Sequence, residues 1–368
     1  MSTLLDASNI LYNPDFMLYR VDIDRAELHF LEVTEDTYRR STYLDNRIQH
    51  TKERLISLPI DEIIKAFEQM PERNGSIQFL FHISFCCSTL LTRALQLPGR
   101  TLVLREPWVL FQMSSIKTRM LSTGEWNTQG PALTDLMLSL LNKTYAPDEH
   151  IVVKPTNLAN NLIEDLLTTL PDSRGILLYT SLREFIISNL KKPDETKQRI
   201  PWLASEAAAL VDYRDSFPDI IPAQLPHLHA AVVFWHAQLL HFLRLLANWP
   251  ERLRTLQSGV LLEEPASVLR STSNWLKLQL PEDHINTVIH GDIWRSHAKD
   301  PRYKYGVKFR EQENMEIIDR HSAAIEDALT WAAPLLASRP VSAIEDYALQ
   351  PSSAAQNVTA NESEKHEH

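Results

Sequence analysis

Short apolar runs alternate with longer amphipathic stretches between residue 76 and residue 192. Four runs have the length and content of buried strands: SIQFLFHI (76–83), TLVLRE (101–106), HIVVKP (150–155) and GILLYTS (175–181). The intervening stretches carry apolar residues at helical spacing: residues 88–97, 131–145, 157–170 and 182–192. This alternation predicts an α/β fold with a central parallel sheet and helices on both of its faces.

The flanking regions predict smaller additions to this core. Residues 17–23 and 26–33 are typical of a β-hairpin, and residues 60–70 of an amphipathic helix. Long helices are expected at 225–249 and 309–336. We therefore divide the chain into three parts: an N-terminal elaboration packed on the main domain (1–75), the main domain with a helical C-terminal part (76–345) and a disordered tail (346–368).

The predicted strands end in polar or charged residues. These ends are His82 to Ser88, Arg105-Glu106, Lys154-Pro155 and Tyr179 to Arg183. Ligands of parallel α/β sheets bind beyond the carboxyl ends of the strands. We therefore expect the functional site at these four ends.

Composition narrows the class of ligand and the compartment. The chain has 368 residues, of which 44% are hydrophobic and 23% charged, with a net charge of −10. Such a charge argues against nucleic acids and anionic membranes as partners, so an anionic ligand needs a local cluster of cations. The two cysteines are adjacent, which excludes a disulfide framework, and we find neither a signal peptide nor a membrane-spanning run. We expect a cytoplasmic protein.

The stretch FLFHISFCCSTLL (79–91) has the outline of a phosphate-binding loop, because an apolar strand leads through a short turn into a helix. It contains neither glycine nor lysine, and the nucleoside-triphosphatase pattern GxxxxGK[ST] is absent. This argues against an ATPase or a GTPase. Ser88 and Thr89 can offer hydroxyl donors to a phosphate, or can simply cap an ordinary helix.

Residues 84–95, SFCCSTLLTRAL, resemble the phosphosulfate loop of sulfotransferases, PRSGSTLLxRxL. Phe85 stands at the cation of that motif and Cys87 at its glycine. The chain is more similar to a bacterial subgroup of sulfotransferase-like proteins whose loop reads F-C-x-S-T-L-L. Other segments of that subgroup recur here in order: Arg105-Glu106-Pro107, Val152 to Pro155, Leu178 to Phe185 and His297-Ala298-Lys299. The resemblance spans residues 17 to 336.

This resemblance implies a three-layer P-loop fold. It also implies transfer of a sulfuryl group from 3′-phosphoadenosine 5′-phosphosulfate to a hydroxyl or amine. The acceptor would be a small molecule or a biosynthetic intermediate, and no metal would be needed. The resemblance also implies roles for particular residues. The cradle for the phosphosulfate would be Phe85, Cys86, Cys87, Ser88 and Thr89. Glu106 would be the base for the acceptor, or else a partner of Arg105 or Arg183 in a structural ion pair. The cation absent from the loop would come from another strand end, with Lys154, Arg105 and Lys299 as candidates.

The remaining implied roles concern the rest of the nucleotide. Thr180, Ser181, Arg183 and Ser188 would form a non-standard clamp for the 3′-phosphate. Arg295 and Lys299 would belong to a late basic loop (290–310) over the nucleotide. For Arg183 and for this basic segment, a solvated surface role remains the alternative.

Other classes of function stay open at this stage. The fold can persist as a catalytically degenerate module that binds nucleotides or proteins. His290-Gly291-Asp292 and Asp319 resemble elements of aminoglycoside-phosphotransferase-like kinases, although His297 stands where those kinases need an asparagine. The histidines of 225–249 lack the i, i+4 spacing of a helical metal site, and no sequence feature specifies the acceptor or the oligomeric state.

Overall fold

The computed structural model of the chain describes residues 7–48, 54–67, 76–297, 300–304 and 307–350. Its centre is a five-stranded sheet whose order is β5-β6-β4-β7-β8 and whose neighbouring strands all run parallel. The strands are β4 (Ile77–His82), β5 (Thr101–Arg105), β6 (His150–Lys154), β7 (Gly175–Tyr179) and β8 (Leu253–Gln257). Almost every residue of these strands is buried, as a sheet covered on both faces requires. The predicted α/β fold class is confirmed.

Helices flank this sheet and connect its strands. They are α4 (Ser88–Leu95), α5 (Trp108–Thr123), α6 (Trp126–Leu141), α7 (Ile163–Thr169), α8 (Leu182–Leu190), α9 (Asp194–Ala209), α10 (Tyr213–Ser216) and α11 (His227–Asn248). After β4 the chain fills the β5–β6 side of the sheet and then crosses to the β7–β8 side. The carboxyl end of β4 is therefore the topological switch point, where open α/β sheets bind ligands.

A small three-stranded antiparallel sheet, in the order β1-β2-β3, precedes the main domain. Its elements are α1 (Ala7–Tyr12), β1 (Phe16–Asp22), β2 (Glu27–Glu32), α2 (Glu35–Arg40), β3 (Leu55–Pro59) and α3 (Ile60–Phe67). The predicted hairpin and the predicted amphipathic helix are thus both present. Helix α5 of the main domain packs against β1 and fixes this sheet to the core.

The part of the chain after β8 is mostly helical, as predicted. Its elements are α12 (Ser258–Glu263), α13 (Pro265–Trp275), α14 (Glu282–His290), α15 (Asp292–Arg295), the short antiparallel pair β9 (Ser296–His297) and β10 (Asp300–Lys304), and α16 (Val307–Ser338), which is kinked at His321. Past the 3₁₀ turn Ser342–Tyr347, the Leu349 N–H donates to the Thr255 carbonyl of β8 at 2.8 Å. The backbone therefore stays attached to the sheet beyond the predicted start of the tail, and residues 351–368 lie outside the described part.

Helix α11 is long and apolar enough to cross a membrane, with a mean hydropathy of 1.4, yet 83% of that apolar window is buried within the protein. It packs against α8, α9 and α16. Its histidines bond inside the fold: His236 to the Tyr213 hydroxyl at 2.8 Å, and His241 through Nε2 to the Asn160 carbonyl at 3.0 Å. Helix α11 is therefore a central core helix, and these two histidines have structural partners.

Burial of His241 predicts a pH-dependent stability. Burial lowers the pKa of this imidazole from 6.5 to about 4. The unfolded chain therefore takes up a proton at a higher pH than the folded chain does, and stability is lost as the pH falls below 6.5. Urea unfolding should show a loss of about 2 kcal/mol from this group between about pH 7.5 and about pH 5.

The substitution His241→Gln isolates this contribution. Glutamine keeps an N–H donor for the Asn160 carbonyl but cannot take up the proton. The variant should lose part of the acid-side slope of the free energy of unfolding. An unchanged slope would show that His241 is not the group responsible.

Candidate active site

A cavity of about 280 Å³ opens at the carboxyl ends of β4, β5 and β6. Its floor is the β4–α4 connection, residues 84–90, and other walls come from the N-terminal region, from the end of α8 and from the start of α16. The cationic side chains lining it are Arg47, Lys154, Lys191, Lys192 and Arg310, and the carboxylate lining it is Glu106. In a chain with a net charge of −10, this local excess of cations favours an anionic ligand.

The loop between β4 and α4 adopts a left-handed backbone without any glycine. The φ angles are 78° at Ser84, 54° at Phe85 and 62° at Cys87. Each such angle is costly for a residue that has a Cβ, by roughly 1–2 kcal/mol. Turns of this kind direct successive backbone N–H groups toward one point, and such nests bind anions. Three residues in four positions are therefore strained, and the loop is a candidate cradle for an anion. Because the Ser84 N–H donates to His82 Nδ1, the cradle would use the N–H groups that follow it.

Helix α4 adds to the cradle at its N-terminus. Its N-cap residue, Cys87, provides no side-chain capping bond. The first N–H groups of the helix have no intrahelical acceptor, and the helix dipole places positive charge at this end. The Ser88 and Thr89 side chains line the cavity at the same point. The N-terminus of α4 and these two hydroxyl side chains therefore lie at the cavity where the sequence predicts a phosphate.

The two neighbouring cysteines have different environments, and both are free thiols. Cys86 is buried, its thiol lies 3.4 Å from the Leu178 carbonyl, and burial raises its pKa to about 12. Cys87 is half-buried, and Arg310 Nη1 donates to its Sγ at 2.7 Å. Cys86 therefore packs the loop onto β7, whereas Cys87 contacts a cation of the cavity wall.

The structure brings the two predicted catalytic residues together. Lys154 is almost completely buried, and its ammonium donates to Glu106 Oε1. The Glu106 N–H donates to the Lys154 carbonyl at 2.7 Å, which extends the β5–β6 pairing by one residue. Glu106 itself has a φ of 54°, a strained angle that turns its side chain toward the cavity. The ion pair that the sequence offered as the alternative role of Glu106, with Arg105 or Arg183, does not form; its partner is Lys154.

His82, the last residue of β4, joins the loop to this ion pair. Its Nδ1 accepts the Ser84 N–H at 3.1 Å, so the neutral ring carries its proton on Nε2. That nitrogen lies 3.8 Å from Glu106 Oε1. The sequence marked His82 as part of a strand end but gave it no role.

Arg105 points away from the cavity. Its guanidinium donates to the carbonyls of Tyr38, Arg39 and Ser41, at the C-terminus of α2. Burial and the nearby Arg93 lower its pKa to about 10. The prediction that Arg105 could supply the cation at the loop is therefore wrong, because its guanidinium donates to these carbonyls instead.

This contact of Arg105 positions a wall of the cavity that sequence reasoning missed. The Leu44 N–H donates to the Arg105 carbonyl at 2.7 Å, and the segment continues to Tyr43 and Arg47 on the cavity wall. The Arg47 guanidinium stacks 3.4 Å from the Tyr43 ring and lies 3.7 Å from Glu106 Oε2. No local pattern in residues 41–48 indicates this position.

The predicted clamp for a 3′-phosphate is only partly assembled. Ser188 lines the cavity. Thr180 is buried and donates to Glu184 at 2.7 Å, while Arg183 pairs with Glu326 of α16 at 2.8 Å. Neither Thr180 nor Arg183 belongs to the described lining of the cavity. The side chain of Thr180 bonds to Glu184, and that of Arg183 bonds to Glu326.

The late basic segment contributes residues other than those predicted. Arg295 is exposed and outside the described lining, although Trp294 and Ser296 belong to it. Lys299 lies outside the described residues. Instead Arg310, from the end of the same segment, reaches the loop.

Lys191 and Lys192 also line the cavity, after the last turn of α8. In the sequence they are recognisable as the two adjacent lysines at the end of the predicted helix 182–192.

The kinase-like elements do not meet at this cavity. Asp292 begins the four-residue helix α15, and Asp319 lies inside α16. Both are exposed, and neither belongs to the cavity lining in the described part of the chain.

Comparison with known proteins finds similarity to solved structures. No family model and no curated protein matches the chain. A sulfotransferase domain from the curacin biosynthetic pathway is 15% identical over 68% of this chain and 99% of its own, with a TM-score of 0.37. A sulfotransferase from Mycobacterium avium is 12% identical over 70% of this chain and 79% of its own, with a TM-score of 0.35. A sulfotransferase domain of the Synechococcus PCC 7002 olefin synthase is 14% identical over 69% and 97%, with a TM-score of 0.34. At these identities and TM-scores the similarities assign no activity to this chain.

The strained loop predicts that glycine will stabilise it. In Ser84→Gly the penalty of the left-handed backbone disappears, whereas the unfolded chain gains about 0.4–1 kcal/mol of conformational freedom. We expect a net rise of about 0.5 kcal/mol in the free energy of unfolding, measured with urea. The matched control is Ser115→Gly in the exposed interior of α5, which should cost about 0.5 kcal/mol. Equal losses in both variants would mean that Ser84 is not strained.

Proposed function

We propose that this protein binds 3′-phosphoadenosine 5′-phosphosulfate and transfers its sulfuryl group to a hydroxyl or amine of a small-molecule acceptor. One observation carries the proposal: a glycine-free loop with a left-handed backbone lies beneath a cavity whose lining holds five cationic side chains and one carboxylate. Backbone strain of this kind is concentrated at functional sites, which supports a ligand site here.

The choice of ligand rests on the loop. The backbone N–H groups at the N-terminus of α4 suit a phosphate or sulfate group. The loop has no lysine before Ser88 that could bridge the phosphates of a triphosphate. The resemblance of residues 84–95 to the phosphosulfate loop of sulfotransferases then favours a phosphosulfate. We assign the 5′-phosphosulfate to residues 85–89 and a nucleotide contact to Ser188.

Glu106 is our candidate for the base. Its side chain is 14% exposed and lines the cavity, and its Oε1 is held by Lys154. Oε2 is then the oxygen that would take the proton of the acceptor. In this proposal Lys154 acts by holding and orienting Glu106, and His82 supports the same carboxylate from the loop side. Positioned carboxylates contribute roughly 10²- to 10⁴-fold to such reactions.

A nucleotide-binding module without transfer activity is the second candidate. The observation that favours it is the engagement of Glu106 by both Lys154 and Arg47, an arrangement that also suits a purely structural ion network. The two candidates share the ligand and differ in turnover.

Calorimetry with 3′-phosphoadenosine 5′-phosphate tests the ligand, and its release from the phosphosulfate in the presence of a panel of phenols, alcohols and amines tests the reaction. We expect binding, and release that depends on an acceptor. Glu106→Gln preserves the shape of the side chain and an oxygen for Lys154, so it should bind the nucleotide as wild type does and lose roughly 100-fold or more in turnover.

The matched control is Glu251→Gln, which removes an exposed carboxylate remote from the cavity and should leave turnover unchanged. Failure of the wild type to bind the nucleotide would reject the proposed ligand. Binding without turnover across the panel would favour the non-catalytic module. Normal turnover in Glu106→Gln would remove Glu106 as the base.

A further inference from the structure

We propose that Lys192, two residues past the end of α8, and Arg310, on α16, supply the positive charge that the phosphate loop lacks in its own sequence. The inference rests on the proposed function and assigns the cations that face the departing phosphate. Residues 83–90, ISFCCSTL, contain no lysine, arginine or histidine. A loop that receives a doubly charged phosphosulfate therefore has to obtain its cations from elsewhere in the fold.

Lys192 reaches the loop at Phe85. Its Nζ lies 4.8 Å from the centroid of the Phe85 ring, within the range of a cation–π interaction. The ring also packs against Phe185 of α8, with 5.5 Å between the centroids. Phe85 thus serves as a platform that holds the ammonium of Lys192 above the loop.

Arg310 reaches the loop two residues further on. Its Nη1 donates to Cys87 Sγ at 2.7 Å, directly at the N-cap of α4. One turn later on α16, Glu313 pairs with Lys191 at 2.6 Å. Residues three apart share a helix face, so this ion pair at the end of α8 fixes the face that carries Arg310. Arg310 is therefore directed to the loop by a contact outside it.

The two cations meet the loop at two of the residues that depart from the phosphosulfate motif. Phe85 stands where that motif has a cation, and Cys87 where it has a glycine. Each of these side chains contacts one external cation. Among the remaining cations, Lys154 donates to Glu106, Arg105 donates to carbonyls of α2, Arg47 pairs with Asp45 and Lys191 pairs with Glu313.

The proposed step defines the negative charge that these two cations would stabilise. The bond between sulfur and the bridging oxygen breaks, and its electron pair stays on that oxygen, which leaves as part of 3′-phosphoadenosine 5′-phosphate. A new bond forms between sulfur and the acceptor oxygen or nitrogen, whose proton passes to Glu106. Lys192 and Arg310 would stabilise the negative charge that grows on the leaving phosphate.

Single and double substitutions test this assignment. Lys192→Gln and Arg310→Gln should each lower the rate of phosphosulfate cleavage by about tenfold or more and weaken binding of 3′-phosphoadenosine 5′-phosphate. Arg310→Lys should recover part of the loss, because it restores the charge. The matched control is Lys197→Gln on α9, which removes a partly exposed cation outside the cavity and should behave as wild type.

A double-mutant cycle distinguishes the cation–π platform from general destabilisation. Phe85→Leu should reduce the rate as Lys192→Gln does, and the two losses should not add in the double variant, because both remove the same charge. Urea unfolding of every variant shows which of them are folded, and Arg310→Lys keeps the test of Arg310 informative if Arg310→Gln does not fold.

The outcomes separate this inference from the proposed function. If the wild type binds and cleaves the phosphosulfate while Lys192→Gln and Arg310→Gln match Lys197→Gln, the inference is wrong and the proposed function stands. Full additivity of Phe85→Leu and Lys192→Gln would remove the platform role of Phe85. If the wild type does not bind 3′-phosphoadenosine 5′-phosphate, both the proposed function and this inference fail.

Discussion

Two buried cations at the neighbouring ends of β5 and β6 determine the arrangement of the site. Arg105 and Lys154 are register partners in the parallel sheet, and each is about 1% exposed. A buried charge without a partner costs several kcal/mol, so the surrounding chain has to provide partners. For Lys154 this partner is Glu106. For Arg105 the partners are the last carbonyls of α2, a favourable place for a cation near a helix C-terminus. The need of these two buried cations for partners therefore fixes the position of Glu106, the candidate base. It also attaches α2 and the N-terminal region to the sheet.

The same sheet edge explains which parts of the site the sequence predicts. Apolar strands in alternation with helices specify a parallel sheet, and parallel strands bring their carboxyl ends to one edge. His82, Glu106 and Lys154 each follow or close such a strand, so the periodicity that defines the strands also locates these residues. The strand-to-helix step at 83–88 was predicted for the same reason. Its left-handed backbone was not, because without glycine the sequence carries no sign of positive φ.

Residues placed by long-range contacts escaped prediction. Arg183 was expected at the cavity because it follows a strand end, but it pairs with Glu326, 143 residues later in the chain. Tyr43 and Arg47 reach the cavity because Arg105 holds the segment before them, and no periodicity in that segment records this contact. Local patterns specify on which edge of the sheet a residue lies. The direction of a long charged side chain depends on a partner that only the complete fold supplies.

A site whose cations come from the chain just after α8 and from α16 depends on how these two helices pack. Helices α8 and α16 are in contact and are joined by Lys191–Glu313 and Arg183–Glu326. In a phosphate loop that carries its own lysine, the charge moves with the loop. Here the charge next to the loop depends on the position of α16 relative to α8, so the ion pairs that join these two helices become part of the electrostatics of the cavity. Arg183, expected to bind a phosphate directly, instead helps to hold the helix that brings Arg310 to the loop.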